Sequence, residues 1–318
     1  MREFSHTPVL VKEVLKGFKD VDKGFIIDAT FGLGGYSRAI LENTNCKVFG
    51  LDRDPDVEIY AQMLLSEYKD RFSYYIGNFS NLFQFSNSLN LTNIIGITFD
   101  LGLSSLQIEN SIRGFSFKSN GPLDMRMSKK GKNVETFLKD VDEETLKKIL
   151  KEFGEEKYSS RISKAIINER EKTTINSTLQ LAKIIRKVVP GKSLKIDKAT
   201  KSFQALRMHI NNELEELKYG LIAAENILEP NGILAVVSFH SLEDRLVKKF
   251  ITKCAGKSDA HFSKFLPPQG CYVKSFEILT KKPIMPSLEE IEINSRSRSA
   301  KLRLAKRTSS KPLHEIAA

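Results

Sequence analysis

The chain has no tryptophan, only three cysteines and no apolar stretch of membrane length, and each shortage removes a class of protein. Cys46, Cys254 and Cys271 are too few and too scattered for a disulfide framework, and no C-x-x-C pair marks a structural zinc site. Buried reduced thiols are the expectation. The longest apolar runs, such as Ile233 to Val237, fall far short of the ~20 residues that cross a bilayer, and Met1 to Ser5 carries no signal-peptide core. A soluble, cytoplasmic protein with no membrane partner and no metal is therefore expected. Compositional bias is missing too: 41% hydrophobic and 28% charged residues, with 20 Phe and 8 Tyr, exclude disordered, collagen-like and low-complexity chains. At 318 residues there is room for one large domain or two unequal ones.

Acidic residues are in short supply, and unevenly so. Residues 1–110 hold 10 basic and 14 acidic side chains, residues 111–210 hold 23 and 12, and residues 211–318 hold 17 and 13. The middle segment alone thus carries as much positive charge as the whole protein, which is net +11. That is the footprint of a polyanion-binding surface, because neutralised phosphates release condensed counterions. Solvated, lysine-rich helix faces are the plainer alternative.

Hydrophobic periodicity divides the chain at the same places. Phe25 to Asp28, Lys47 to Leu51, Phe72 to Ile76 and Ile94 to Phe99 read as strands separated by amphipathic stretches, hence a parallel α/β sheet. From Val134 to Val189 apolar residues recur at three- and four-residue spacings, which predicts a small helical domain. A long helix is expected from about Lys201 to Leu228, ended by Pro230-Asn231-Gly232 and followed by the strand Ile233 to Phe239. Ala300, Leu302 and Leu304 alternate with polar neighbours as a last strand. The expected organisation is 1–110 and 201–306 as two parts of one α/β domain, 111–200 as a helical insertion that binds substrate, and 307–318 as a flexible tail.

The first chemical motif is the loop from Asp28 through Gly32, Gly34 and Gly35 to Tyr36 and Ser37, where a strand turns into a helix. Glycines there let backbone approach a ligand and aim helix amides at it. A dinucleotide loop, G-x-G-x-x-G, would place its third glycine where Ser37 stands. The acidic residue four before Gly32 gives D-x-x-x-G-x-G, a form better suited to S-adenosylmethionine. Asp52 ends the next strand, twenty residues after Gly32, where a carboxylate accepts ribose hydroxyls. A tight turn with no ligand is the plainer alternative. Phe79, just past the third strand, either flanks an adenine ring or fills core. The fourth strand runs into Asp100-Leu101-Gly102-Leu103-Ser104-Ser105-Leu106-Gln107, at the edge where open α/β sheets bind ligands. A capped helix start would use the same residues.

The string of segments resembles one family. His6-Thr7-Pro8-Val9-Leu10, the DATFGLGGYS loop at 28–37, Asp52-Arg53-Asp54-Pro55, DLGLSSLQ at 100–107 and Arg113-Gly114-Phe115-Ser116-Phe117 are similar to the bacterial 16S rRNA cytidine-N4 methyltransferases. Gly121-Pro122-Leu123-Asp124-Met125-Arg126-Met127, Ser202 to Arg207, Asn212-Glu213-Leu214, SFHSLEDR at 238–245 and Asn294 to Arg303 follow in order. The resemblance covers residues 4 to 306. It implies a class I, Rossmann-like methyltransferase fold with an antiparallel last strand and a helical insertion. It also implies S-adenosylmethionine as methyl donor and a P-site cytidine of 16S rRNA, within the small ribosomal subunit, as acceptor. Carried over motif by motif, cofactor contacts fall on Gly34, Gly35, Tyr36, Asp52, Phe79, Asp100 and Gln107. Many members have His where this chain has Tyr36, so the backbone amide there is the expected contact.

Cytosine N4 is a poor nucleophile because its lone pair is delocalised, so an acceptor for its hydrogens is expected. DNA amino-methyltransferases use a polar-Pro-Pro-aromatic loop after the fourth strand. Here Asp100-Leu101-Gly102 stands instead, so Asp100 or a loop carbonyl must serve; Asp100 is the candidate catalytic residue, with Ser104 and Ser105 as runners-up. His240 either faces the substrate or is a hydrogen-bonded structural residue. Glu243, Asp244 and Arg245 suit a helix start and an ion pair. Met125, Met127, Phe115 and Phe117 are expected to seal a domain junction, with Arg113 and Arg126 near enough to meet phosphate. A methyltransferase acting on protein or a small molecule, and a non-catalytic nucleic-acid binder, are the competing readings; Ser37 disfavours a dehydrogenase.

Overall fold

A computed structural model of the protein describes residues 8–21, 23–191, 197–257 and 274–316. His6, Thr7 and Cys271 lie outside the described residues. The chain divides into two compact units, Met1–Gly102 together with Leu214–Ala318, and Leu103–Glu213.

The first unit is a layered α/β structure. After α1 (Val11–Gly17), β1 (Phe25–Asp28) leads into α2 (Gly35–Asn43), β2 (Lys47–Asp52) into α3 (Glu58–Tyr68), and β3 (Phe72–Ile76) into α4 (Leu82–Ser88) and β4 (Ile94–Asp100). Later in the chain come β5 (Ile233–Ser238), β6 (Phe276–Ile278) and β7 (Lys301–Arg307). Together they form one sheet of order β3-β2-β1-β4-β5-β7-β6. The first five strands are parallel, and β7 runs antiparallel to both β5 and β6. This is the expected methyltransferase-type sheet.

The strands alternate in whom they face, as a two-sided sheet requires. Ile26 and Val48 join one core cluster with Val14, Ile40 and Leu64 from the first three helices. Ile27, Phe49 and Phe99 join the other with Leu82, Leu221 and Val247. β5 is buried on both faces along its whole length, as a central strand should be. β6 is only three residues long, too short to leave a periodic signal, and sequence reading had no strand there.

The second unit contains α5 (Ser105–Glu109), α6 (Val134–Asp140), α7 (Glu143–Gly154), α8 (Ser159–Arg170), α9 (Thr178–Val188) and α10 (Thr200–Ile210). Leu146, Ile149 and Leu150, Ile162 and Ile166, and Leu181 and Ile185 pack into one core with Phe203 and Leu206. Local signals start these helices: Asn133, Asp142 and Ser177 each accept a hydrogen bond from the backbone amide three residues on.

Three expectations change. The single helix from about 201 to 228 is two, α10 and α11 (Glu213–Ile227), with Asn212 between them at φ 49°. The break places Asn211, which is 2% exposed, where its amide accepts from the Met127 N–H at 2.8 Å and donates to the Met125 carbonyl at 2.7 Å. Met125 and Met127, with Phe115, belong to the core of this unit. Arg113, expected to be near phosphate, is 5% exposed and donates to the carbonyls of Arg126 and Met127 at 2.9 Å. Third, residues 308–316 are not a loose tail. Their end is tied to α11, where Glu225 accepts from the backbone amides of Leu313 and His314 and pairs with the His314 ring at 2.8 Å.

Replacing Asn211 with Ala leaves the Met127 amide and the Met125 carbonyl buried without partners, which should destabilise the protein by about 1 to 3 kcal/mol. Urea unfolding checks this; a loss under ~0.5 kcal/mol would mean that the loop does not depend on the helix break.

Candidate active site

The strand order reverses direction between β1 and β4, so the loops that leave these neighbours diverge and open a crevice at the carboxyl edge of the sheet. The glycine loop occupies one side of it. Gly32 and Gly34 have φ of 54° and 77°, a region that glycine adopts without strain. Gly34 caps α2 with no side chain of its own. A Cβ on Gly34 would lie 2.8 Å from the Phe31 ring, so part of the demand for glycine comes from the fold itself.

Two carboxylates pin this loop. Asp28 is fully buried and accepts from both the amide and the hydroxyl of Ser37, at 3.1 and 2.8 Å. Asp52 accepts from the Gly32 amide at 2.8 Å and, through its other oxygen, from the Asp54 amide at 2.9 Å. The Thr30 hydroxyl, also on the loop, accepts from the Asp100 amide at 2.6 Å and so ties the β1 and β4 ends together. Asp28 and Ser37 belong to the motif read from the sequence, but without these bonding roles, and Thr30 was not singled out. The D-x-x-x-G-x-G spacing was the signal for Asp28, and nothing in the pattern marked Thr30.

The expected contact residues divide by environment. Tyr36 is buried, and its hydroxyl donates to the Val9 carbonyl, so only its backbone is left to meet a ligand. Phe79 is half-buried, edge-on to Phe99 at 5.4 Å between ring centroids, and its ring fills the space left by Gly220. Gln107 belongs to the helical unit. There Ser104 and Gln107 form a reciprocal capping box at the start of α5, Gln107 Oε1 accepting from the Ser104 amide at 3.1 Å.

Asp100 differs from the others. Its Oδ1 is buried and has no hydrogen-bond partner among the described residues. Burial, followed by the charges of Asp28 and Glu243, holds its carboxyl well above the usual carboxylate range. Asp28 and Asp52 are pushed up to about 6, chiefly by burial, and are drawn partly back by the hydrogen bonds they accept. Three carboxyls with raised pKa in one crevice make a site that favours cationic and hydroxyl-bearing ligands. S-adenosylmethionine, with a sulfonium and a ribose, has that chemistry.

α12 (Ser241–Cys254) begins just past β5 on the same edge. His240 caps it: the ring Nδ1 accepts from the Glu243 amide at 3.3 Å, while Glu243 Oε2 accepts from the Phe239 amide at 2.9 Å. Asp244 pairs with Arg303 at 2.7 Å and Lys301 at 3.4 Å. Arg303 and Arg307, two of the basic residues near the end of the chain, are therefore buried and bonded internally. A separate group, Glu225, Cys254 and His314, brings three potential metal ligands within 4.8 Å of one another. Its carboxylate already receives Ser275, Leu313 and His314, and the group anchors the chain end.

Comparison with known proteins follows the same outline. The family model described as the MraW methylase family matches residues 3–308. A ribosomal RNA small subunit methyltransferase H from Wolbachia sp. subsp. Drosophila simulans (strain wRi) is 46% identical over 306 residues, 96% of this chain and 100% of its own. The protein of that name from Ehrlichia ruminantium (strain Welgevonden) is 44% identical, covering 94% and 98%. One from Paramagnetospirillum magneticum is 44% identical, covering 95% and 96%. Among solved structures, an rRNA methylase from Streptococcus thermophilus aligns with a TM-score of 0.39 at 11% identity, over 96% of this chain and 99% of its own. TrmN from Thermus thermophilus aligns at 0.41 and 9%, over 94% and 48%. These structural likenesses are remote, and membership rests on the sequence relatives.

A carboxyl whose pKa is raised in the folded state takes up protons on folding, so the stability it allows is lost as pH rises above the ordinary carboxylate range. Asp100→Asn removes that penalty. The ligand-free variant should match the parent at acid pH and become progressively the more stable of the two as pH rises toward 8. Melting curves across this range test it; a gap that does not grow with pH would mean that Asp100 is not held protonated.

Proposed function

Because the chain belongs to the MraW methylase family, we propose that it methylates the exocyclic N4 of a cytidine in the P-site region of 16S rRNA, using S-adenosylmethionine. The relatives' names support small-subunit rRNA as the substrate, and the long LDMRM and SFHSLEDR strings support the cytidine amine. The observation that carries the reading is the buried, unpartnered oxygen of Asp100 at the end of β4, where a donor N–H is the missing partner.

S-adenosylmethionine supplies an electrophilic sulfonium methyl. Gly34, Gly35 and the Tyr36 amide would present backbone donors to it, Asp52 would accept from its ribose hydroxyls, and Phe79 would flank its adenine. Asp100 would complete the contacts that the α/β unit supplies. Asp100 accepts one N4 hydrogen of the cytosine, which turns the nitrogen lone pair out of conjugation with the ring. It then holds the proton released as the carbon–nitrogen bond forms. A bound cation lowers the pKa of Asp100 toward the carboxylate form that this role requires. The helical unit, with 23 basic side chains between residues 111 and 210, provides the phosphate-binding surface. Lys129, Lys130 and Lys132 are exposed there. The protein works in the cytoplasm, where assembling small subunits are found.

Tritium from labelled S-adenosylmethionine should appear in 16S rRNA as N4-methylcytosine. Label in protein, or in neither, would overturn the proposal in favour of another acceptor or a non-catalytic binder. Asp100→Asn should slow single-turnover methylation by about 10² at saturating cofactor. Full recovery at saturation would leave Asp100 with only a positioning role. Charge reversal of Lys129, Lys130 and Lys132 should flatten the salt dependence of rRNA binding by roughly 0.7 to 0.9 per lost contact, with cofactor affinity unchanged. An unchanged slope would return these lysines to the solvated-face reading.

A further inference from the structure

His240 does something that a helix cap alone does not explain. Ser, Asn, Asp and Thr are the side chains that cap helices well, and an imidazole accepting at 3.3 Å is a weak substitute. The capping bond has a chemical consequence. To accept from the Glu243 amide, Nδ1 must keep its lone pair, so the neutral ring carries its proton on Nε2. That Nε2 is buried and, among the described residues, has no hydrogen-bond partner. Glu243 Oε1 lies 3.1 Å away but outside hydrogen-bonding alignment, so the two atoms are an ion-pair contact without a bond. The ring is thus a fixed donor, which its own cap prevents from serving as a base.

The fold places His240 and Asp100 just past and at the carboxyl ends of neighbouring strands. β4 and β5 are parallel neighbours with Asp100 opposite Val237, and the Leu101 amide donates to the Val237 carbonyl at 3.0 Å. The two strand-end loops stay together beyond that point, since a Cβ on Gly102 would touch the Phe239 ring at 3.5 Å. Two buried polar atoms without partners, one acceptor and one donor, therefore stand at the ends of adjacent central strands.

We propose that His240 is a specificity-determining residue, its Nε2–H donating to ring N3 of the target cytosine while Asp100 accepts from N4. This rests on the cytidine reading above. Cytosine offers a donor at N4 next to an acceptor at N3. Uracil offers the reverse at O4 and N3, so it would set acceptor against acceptor and donor against donor. The pair selects the base before the amine reacts.

His240→Asn provides the test, because its amide oxygen still caps α12 while the Nε2 donor is gone. The probes are short RNAs of the target hairpin carrying cytosine or uracil at the modified position, and small ribosomal subunits that lack the methyl group. The parent should bind the cytosine RNA about tenfold or more tighter than the uracil RNA. In H240N that ratio should collapse toward one and single-turnover methylation of subunits should fall at least about tenfold, with melting temperature and S-adenosylmethionine affinity unchanged. If H240N does not fold, His240→Asp, also a strong cap, takes its place. A cap with no other role predicts an unchanged ratio and rate, and either result overturns the proposal. So does a parent that binds both RNAs equally. Failure of the parent to produce N4-methylcytosine would instead overturn the cytidine reading itself.

Discussion

Everything at the candidate site depends on two carboxylates that hold a glycine loop by its backbone. Asp28 takes the amide and hydroxyl of Ser37 from inside the core, and Asp52 takes the Gly32 amide from the next strand. A loop with glycines at positive φ has little conformational preference of its own. These bonds convert it into one shape, with α2 starting at Gly34. The arrangement is costly for an empty protein, because burial raises the pKa of both groups to about 6. The hydrogen bonds from backbone and from Ser37 recover part of that cost. A cationic ligand recovers more, so the features that weaken the free fold are those that favour binding.

The same logic extends across the sheet edge. Thr30 links the loop to the Asp100 amide, so the position of the β4 end is set by β1. Asp100, unlike its neighbours, accepts no compensating bond at Oδ1, and its carboxyl is raised by burial and by the charges of Asp28 and Glu243. Glu243 in turn holds the Phe239 amide and lies against the His240 ring. Charge placed at one strand end is therefore felt at the next. Among the buried side-chain atoms that have no hydrogen-bond partner among the described residues, Asp100 Oδ1 lies at the end of β4 and His240 Nε2 just past β5. Buried polar atoms persist without partners where a ligand completes them.

The helical unit solves a different problem. Its strong positive charge would be a liability on a flexible segment, but it has a core of its own from Phe115 to Leu206. Internal pairs use up some of the charge. Arg126 chelates Asp124 through two bonds of 2.9 and 2.7 Å, and Arg186 pairs with Asp197 at 2.8 Å. Arg113 is consumed by backbone carbonyls. The lysines that are left exposed, rather than the raw count, set how many phosphates this unit can meet.

Strand positions, the helical block and the glycine loop were legible in the residues, because period-two and period-3.6 patterns and the spacing of Asp28, Gly32, Gly34 and Asp52 are local properties. So was the place of Asp100 at the end of a strand. What the linear pattern did not contain was any property that depends on a distant partner. Asn211 looks like one more residue of a long helix until Met125 and Met127 are brought against it. Arg113 reads as a phosphate ligand until burial assigns it to the Arg126 and Met127 carbonyls. The chain end reads as a tail until Glu225, 89 residues away, takes the His314 ring. Composition and periodicity state what each segment prefers; only packing decides which polar atoms are buried, and burial is what turns a side chain into a clamp, a cap or a reactive group.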